Sequence, residues 1–308
     1  MIRIGTVNID TSHAPAFAEI LLGGDRARYT AIYNDGFRND NDVENFIQKY
    51  KLEKRYYDLS EMADNIDVAF IQSCDWDRHI ELCTPFVEKN VPVFIDKPIV
   101  GNMKDLKQIE KWASEGKVIL GTSALRYTYE HDDFFSNASR EDIISVSTTV
   151  GVDEFNYAIH AVESIMGFMG EIRPVTTQYI GTSRVDDVDT DSYRVMFENG
   201  VSAYYHICKK GWQPSTAVIM TKKTTFVYKI DTNKVYEAML KRVCDYFEGK
   251  GNRLASVDDM LYSVRIMLAG IKSAANGGKA EKLSELTEND PSFDGLKFYN
   301  GYKAANGY

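Results

Sequence analysis

Short apolar runs alternate with amphipathic stretches over the first 122 residues of the chain. The apolar runs are rich in Val, Ile and Phe and predict strands at 2–7, 29–33, 67–72, 93–96 and 118–121. The stretches between them predict a helix that ends near 22 and further helices at 40–50, 58–63, 78–89 and 103–115. Strands that alternate with helices are typical of a doubly wound parallel sheet, so we expect residues 1–122 to form a Rossmann-like domain.

The pattern changes after residue 122. Strands are predicted at 142–150, 175–180, 192–198, 201–207 and 226–230, and helices at 157–168, 235–247 and 257–274. Asn199-Gly200 separates two of these strands and is a typical hairpin turn, which favours antiparallel pairing. We therefore expect residues 123–308 to form an α+β domain with a largely antiparallel open sheet, in an α/β chain of two domains.

Composition narrows the class of protein further. A chain of 308 residues with 44% hydrophobic and 26% charged residues is typical of a globular protein. The net charge of −9 disfavours nucleic acid and anionic membranes as partners. Because the sequence lacks a signal-peptide pattern and a run long enough to span a bilayer, we expect a cytoplasmic protein. The four cysteines and five histidines have no ligand-like spacing, which predicts reduced thiols and no metal site.

The predicted strand at 93–96 ends at Asp96-Lys97-Pro98. Proline cannot donate to a sheet ladder, so Lys97 is expected at the carboxyl end of the strand, where open α/β sheets bind their ligands. A lysine held there is a candidate proton donor or point charge for a substrate oxygen. The alternative is a solvated lysine on a loop.

Asp35 follows the second predicted strand. An acidic residue at this position of a dinucleotide fold holds the ribose hydroxyls, although a turn aspartate before Gly36 is the alternative interpretation. Upstream, Asp10, Thr11 or Ser12 can cap the first helix.

Several landmarks in order resemble the glucose-fructose oxidoreductase / inositol dehydrogenase family, written Gfo/Idh/MocA. Residues 67–72 followed by His79 are similar to its fourth-strand region, and Asp96-Lys97-Pro98 is similar to its Glu-Lys-Pro signature. Arg126 lies where members often carry an arginine, and Asn156 to His160 resembles the Asp-x-x-x-His motif. The strand and Asn-Gly turn at 191–200 also match, so the resemblance spans nearly the whole chain.

The resemblance implies NAD or NADP as cofactor, a sugar or cyclic polyol as substrate, and assembly as a homodimer or homotetramer. Lys97 would bind or protonate the reacting oxygen, His160 would be the general acid/base, and Asn156 would take the third polar position. The residues that would contact the cofactor are Asn8, Asp10, Thr11, Ser12, His13, Asp35, Ser73, His79 and Asp96. Those that would contact the substrate, besides Lys97, are Arg126, Tyr157 and Trp212.

The glycine-rich loop departs from the family pattern. The G-x-G-x-x-G positions read Asn8-Ile9-Asp10-Thr11-Ser12-His13, so other residues occupy all three glycine positions. Asn8 tolerates left-handed dihedrals and can keep the first turn. Asp10 would repel a diphosphate unless it turns away to cap the helix. Either the backbone amides with Thr11 and Ser12 still hold phosphate, or the dinucleotide is lost or has moved and Asp10 and His13 belong to another site.

Asn156 is the second departure, because an amide cannot accept a proton as the family's aspartate can. Asp153, Glu154 or Glu163 could supply the carboxylate instead.

The predicted function is therefore an NAD(P)-dependent oxidoreductase that acts on CH–OH groups. Asp35 favours NAD, since a carboxylate repels a ribose phosphate, although Arg38 lies close by. The alternatives are a redox-inactive relative that binds a carbohydrate or serves as an assembly subunit, and an enzyme that uses NAD transiently for elimination or epimerisation.

Overall fold

A computed structural model describes residues 1–152, 155–251 and 254–308. The chain divides into two compact units. The first comprises Met1–Thr122, Leu240–Val257 and Asp294–Tyr308, and the second comprises Ser123–Met239 and Asp258–Phe293.

The first unit contains a six-stranded sheet in which every pairing is parallel. Its strands are β1 (Ile2–Val7), β2 (Ala27–Tyr33), β3 (Lys54–Tyr56), β4 (Val68–Ile71), β5 (Val93–Asp96) and β6 (Ile119–Thr122). They lie in the order β3-β2-β1-β4-β5-β6, so the strand order reverses between β1 and β4. Ligands of such sheets bind in the crevice at this reversal, outside the carboxyl ends of the strands.

Helices connect these strands and cover the apolar sheet. They are α1 (His13–Leu22), α2 (Asp40–Tyr50), α3 (Leu59–Ala63), α4 (His79–Glu88) and α5 (Met103–Ser114). The central strands β4 and β5 are buried along their whole length, which explains their continuous apolar sequences. The predicted Rossmann-like parallel sheet is therefore confirmed.

The second unit is built on a seven-stranded mixed sheet in the order β12-β11-β7-β10-β9-β8-β13. Its strands are β7 (Ile143–Val152), β8 (Pro174–Val185), β9 (Val188–Phe197), β10 (Ser202–Lys209), β11 (Thr216–Thr221), β12 (Thr225–Lys229) and β13 (Glu281–Lys282). All pairings are antiparallel except β7 with β10. The turn at Asn199-Gly200 joins β9 to β10, and Gly200 has a φ of +86°, as a hairpin turn requires.

The remaining helices are α6 (Tyr129–Asn137), α7 (Ala158–Met169), α8 (Val235–Phe247), α9 (Val257–Ala275) and α10 (Gly295–Ala305). In the part of the chain that the structure describes, no helix is both long and apolar enough to cross a membrane. All four cysteines are buried free thiols.

Candidate active site

Asn8 forms the turn that follows β1. Its φ is +65°, so it holds the left-handed conformation that glycine usually supplies at this point, as the sequence predicts. Its Oδ1 accepts hydrogen bonds from the backbone amides of Asp35 (2.9 Å) and Gly36 (3.2 Å), and its Nδ2 donates to Asp35 Oδ1 (3.1 Å). A single side chain therefore keeps the tight turn and ties the end of β1 to the end of β2.

Asp10 turns its carboxylate into the protein. Its Oδ2 accepts from the backbone amide of Cys74 (3.1 Å) and from the hydroxyl of Ser73 (3.4 Å). A Cβ atom at Gly36 would overlap Asp10 Oδ1, so only glycine fits beside this carboxylate. Burial raises the pKa of Asp10, although the Cys74 and Phe37 amides oppose the shift.

Asp10 was expected to turn away from the phosphate site and to cap the first helix; the first part is confirmed and the second is wrong. The carboxylate does turn away, but it bonds to the loop after β4, and Ser12 is the N-cap residue of α1. The side chain that bonds into this helix start is Thr11, whose Oγ1 accepts from the amide of His13 (3.2 Å). As a result, the Asp10 carboxylate is removed from the surface that a diphosphate would approach.

His13 occupies the third glycine position and contacts the end of β5. Its Nδ1 lies 2.6 Å from Asp96 Oδ2, and both residues are buried. Asp96 Oδ1 also accepts from the backbone amide of Lys97 (2.8 Å). Burial alone would raise the pKa of Asp96, but the His13 imidazole and then Lys97 lower it, and the net shift is downward. The altered loop is thus joined directly to the Asp96-Lys97-Pro98 junction, where Lys97 is half-buried.

Asp35 is partly exposed, and its carboxylate accepts four hydrogen bonds. Oδ1 accepts from Asn8 Nδ2 and from Arg78 Nη1 (3.1 Å each), and Oδ2 accepts from Tyr33 Oη (3.1 Å) and Arg78 Nη2 (2.7 Å). Burial raises the pKa of Asp35, but Arg78 outweighs it and the net shift is downward. Arg78 was not identified from sequence, because a lone arginine beside His79 carries no spacing signal.

His79 is fully buried, and it holds two loops in place. Its Nε2 lies 2.9 Å from the carbonyl oxygen of Ser73, and its Nδ1 lies 2.9 Å from that of Ile99. The imidazole therefore fixes the backbone at Ser73, next to the groups that donate hydrogen bonds to Asp10.

In the second unit, His160 lies in the first turn of α7 and is 8% exposed. Its Nδ1 lies 2.6 Å from the hydroxyl of Ser123, and the ring of Tyr157 meets it edge-on at 5.8 Å. Ser123 was not identified from sequence, since serine after a strand is common. Its hydroxyl also accepts from the amide of Leu125 (3.1 Å), which fixes the oxygen beside the imidazole.

Asn156 precedes α7, which begins at Ala158. The spacing of four residues between Asn156 and His160 predicts that both lie on one face of a helix. That prediction is wrong, because Asn156 lies in the turn before the helix. Of the carboxylates considered as substitutes, Asp153 and Glu154 lie outside the described residues. Glu163 is buried and paired with Arg126.

Arg126 lies in a buried polar cluster of the second unit. Its Nε donates to Glu163 Oε2, and its Nη2 donates to the carbonyl oxygen of Asp259 (3.0 Å) and the hydroxyl of Ser263 (2.9 Å). The guanidinium is thus committed to core partners. The other two residues expected at the substrate are accessible: Tyr157 is 39% exposed and Trp212 is 68% exposed.

Residues 3–123 match the family described as the GFO_IDH_MocA oxidoreductase family with an NAD-binding Rossmann fold. No curated protein matches the chain.

Solved structures share the fold over nearly its whole length. A probable dehydrogenase from Thermotoga maritima is 18% identical with a TM-score of 0.77, and the match covers 93% of this chain and 100% of that one. Apo scyllo-inositol dehydrogenase from Lactobacillus casei is 12% identical with a TM-score of 0.77, covering 92% and 99%. Myo-inositol dehydrogenase from Lactobacillus casei in complex with NAD(H) and myo-inositol is 12% identical with a TM-score of 0.74, covering 97% and 99%.

The first unit therefore has a Rossmann-type fold, and residues 3–123 match a family of NAD-binding oxidoreductases. The match of residues 3–123 to the Gfo/Idh/MocA family model agrees with the resemblance of the sequence, and the solved structures share the fold over nearly the whole chain.

Proposed function

We propose that this protein is an NAD-dependent dehydrogenase that oxidises a secondary hydroxyl of a sugar or cyclic polyol. The observation that carries the proposal is His160, an imidazole in the first turn of α7 whose Nδ1 is held beside the Ser123 hydroxyl. The family is one of NAD-binding oxidoreductases, and the neighbours named above include inositol dehydrogenases. Assembly as a dimer or tetramer stays a prediction for this chain.

The turn between β1 and α1 fits the pyrophosphate of a dinucleotide. Asn8 supplies the left-handed turn, and the inward rotation of Asp10 removes the carboxylate that would repel phosphate. The backbone from Thr11 to His13 then leads into the first turn of α1, whose positive dipole end favours an anion. When bound, NAD supplies the carbon that accepts the hydride.

His160 is the proposed base. In the productive tautomer, Nδ1–H donates to Ser123 Oγ and Nε2 takes the proton of the substrate hydroxyl. The substrate alcohol would become a carbonyl by losing this proton to His160 and a hydride from the same carbon to the bound cofactor. Lys97 is proposed to stabilise the negative charge that develops on the oxygen. Asn156 can hydrogen-bond the substrate but cannot take its proton.

The test is a dehydrogenase assay with NAD, and separately NADP, against a panel of inositols and hexoses. We expect turnover of at least one polyol, and the His160→Asn variant should lower kcat by roughly 10²- to 10⁴-fold. The matched control is His206→Asn, because His206 is a half-buried histidine whose Nδ1 contacts Ser192 within the sheet. Equal activity of the His160 variant and wild type would contradict the proposal. Isotope exchange at a substrate carbon without accumulation of NADH would instead indicate elimination or epimerisation.

A further inference from the structure

Within the first unit, helix α10 and the residues after it pack their aromatic side chains on the loops that follow β2 and β4. Phe37, which follows β2, contacts the rings of Tyr299 (5.7 Å between centroids), Tyr302 (6.1 Å) and Tyr308 (5.2 Å). On the loop after β4, Trp76 packs against Phe298 at 5.1 Å. Phe37 and Trp76 are 7% and 3% exposed. The helix therefore spans from the loop after β2 to the loop after β4.

Polar contacts fix the start of this helix. The backbone amides of Gly295 and Leu296 donate to Asp77 Oδ2 at 2.8 and 3.2 Å, and Asp294 caps the helix through the amide of Lys297 (2.7 Å). A Cβ atom at Gly295 would lie 2.7 Å from Asp75 Oδ1, so the helix start and the loop after β4 are in close contact.

Tyr308, three residues after α10, is held by polar and ring contacts as well. Tyr308 donates its hydroxyl to Asp42 Oδ2, and the guanidinium of Arg38 lies 5.2 Å from the Tyr308 ring. The same guanidinium donates to the carbonyl oxygen of Asp10 (3.1 Å), in the loop that replaces the glycine motif. Residues 294–308 are thus held at both ends by contacts with residues beside the nucleotide crevice.

Tyr299 packs on Phe37 in the loop after β2, two residues from Asp35. Burial raises the pKa of its hydroxyl, and the negative charge of Asp10 raises it further, whereas Arg78 lowers it. Asp35 is the residue that, in a dinucleotide fold, accepts the ribose hydroxyls of the adenosine half. A carboxylate has about four acceptor positions, and the four hydrogen bonds from Asn8, Tyr33 and Arg78 already use them. A ribose diol can therefore bind Asp35 only if an existing partner, such as Arg78, releases it.

We propose that α10 is an intramolecular cover of the adenosine end of the nucleotide site, and that a dinucleotide binds there after α10 moves and Arg78 releases Asp35. The proposal rests on the proposed function and specifies how access to that site is regulated. In the covered state the turn at residues 8–13 is unchanged at the pyrophosphate end of the site. The adenosine end is filled by the protein's own side chains, namely Tyr299, Tyr302, Tyr308 and Arg78. Because only the uncovered fraction binds, the apparent affinity for dinucleotide is reduced by that fraction.

The first experiment measures NADH binding by calorimetry to the full chain and to two variants. Tyr299→Ala removes the ring that packs on Phe37 in the loop after β2, and should tighten the Kd by about tenfold or more. Leu296→Ala is the matched control, since Leu296 is on the same helix but is 55% exposed, and its Kd should equal that of wild type. The expected result separates loss of the cover from a general effect of shortening a side chain in α10.

The second experiment follows amide hydrogen exchange of residues 295–308 in the wild-type chain, so it does not depend on any variant folding. Saturating NADH should accelerate exchange in this segment. Protection of the segment by NADH, or equal NADH affinity of wild type and Tyr299→Ala, would overturn the cover while leaving the proposed function intact. If neither protein binds NADH, both the cover and the NAD-dependent function fail.

Discussion

His13 Nδ1 and Asp96 Oδ2 lie 2.6 Å apart and connect two segments that are 83 residues apart in the chain. His13 begins α1 where a third glycine would allow close helix packing, and Asp96 ends β5 immediately before Lys97. A polar contact between α1 and β5 is therefore present where the family pattern has close packing at a glycine. The same carboxylate also accepts from the Lys97 amide, which fixes the backbone at Lys97.

Asp96→Asn should remove the stabilisation that the contact between His13 and the Asp96 carboxylate provides. Because the pKa of Asp96 is lowered in the folded state, its contribution to stability is present above the unfolded pKa of about 3.9 and is lost as pH falls through the lower folded pKa. At pH 7 we expect the variant to lose about 3 kcal/mol of unfolding free energy. Urea unfolding should show this difference shrinking below about pH 4. A constant difference down to the lowest pH would contradict the assigned pKa direction.

Asn8 is predicted to tolerate glycine better than alanine. Alanine loses the three side-chain hydrogen bonds and also strains at a φ of +65°, whereas glycine loses only the bonds. Asn8→Ala should therefore be less stable than Asn8→Gly by roughly 1–2 kcal/mol in urea unfolding. Equal stability of the two variants would show that the left-handed turn is not retained.

Arg126 is predicted to stabilise the second unit. Removing the guanidinium in Arg126→Met leaves the Glu163 carboxylate buried without its charge partner. We expect a loss of about 3–5 kcal/mol of unfolding free energy. The double variant Arg126→Met/Glu163→Met should recover part of this loss, because the Glu163 charge is then gone as well, while Asp259 Oδ2 still loses its contact with Arg126 Nη1 (3.7 Å). A double variant less stable than the single one would contradict the explanation.

Ser123 is predicted to be a positioning residue that acts through His160. Ser123→Ala removes the oxygen beside Nδ1, so we expect kcat to fall about tenfold or more with little change in KM. The acidic limb of the pH profile of kcat should shift, and Ser123→Thr, which restores a hydroxyl, should recover activity. If only stability changes and the pH profile does not, the hydroxyl has no role in orienting the imidazole.

Most strands and most helices could be predicted because their apolar periodicity reports burial directly, whereas β3, β11 and β13 were not predicted. Helix α10 was not predicted, since its sequence contains two glycines and few aliphatic residues. Its contacts with Phe37 and Trp76 come from residues more than 200 positions away, which no local pattern records. The start of α7 was placed one residue early and Asn156 was assigned to its face, because a turn and a helix start have similar local sequences.

The candidate site likewise has features that the local sequence predicts and contacts that only the tertiary fold creates. The left-handed turn at Asn8 was predicted from the residue type alone, because few side chains tolerate that conformation. The partners of the other polar residues were not predictable, since Arg78 with Asp35, Ser123 with His160 and His13 with Asp96 are each brought together by the tertiary fold.

The most direct test of the central claim is a crystal structure of the chain with saturating NADH, obtained for both wild type and Tyr299→Ala. We predict that the pyrophosphate lies against the turn at residues 8–13 and that the adenosine ribose contacts Asp35, with α10 displaced. Dinucleotide bound elsewhere, or absent from both proteins at saturation, would contradict the assignment of this crevice as a nucleotide site.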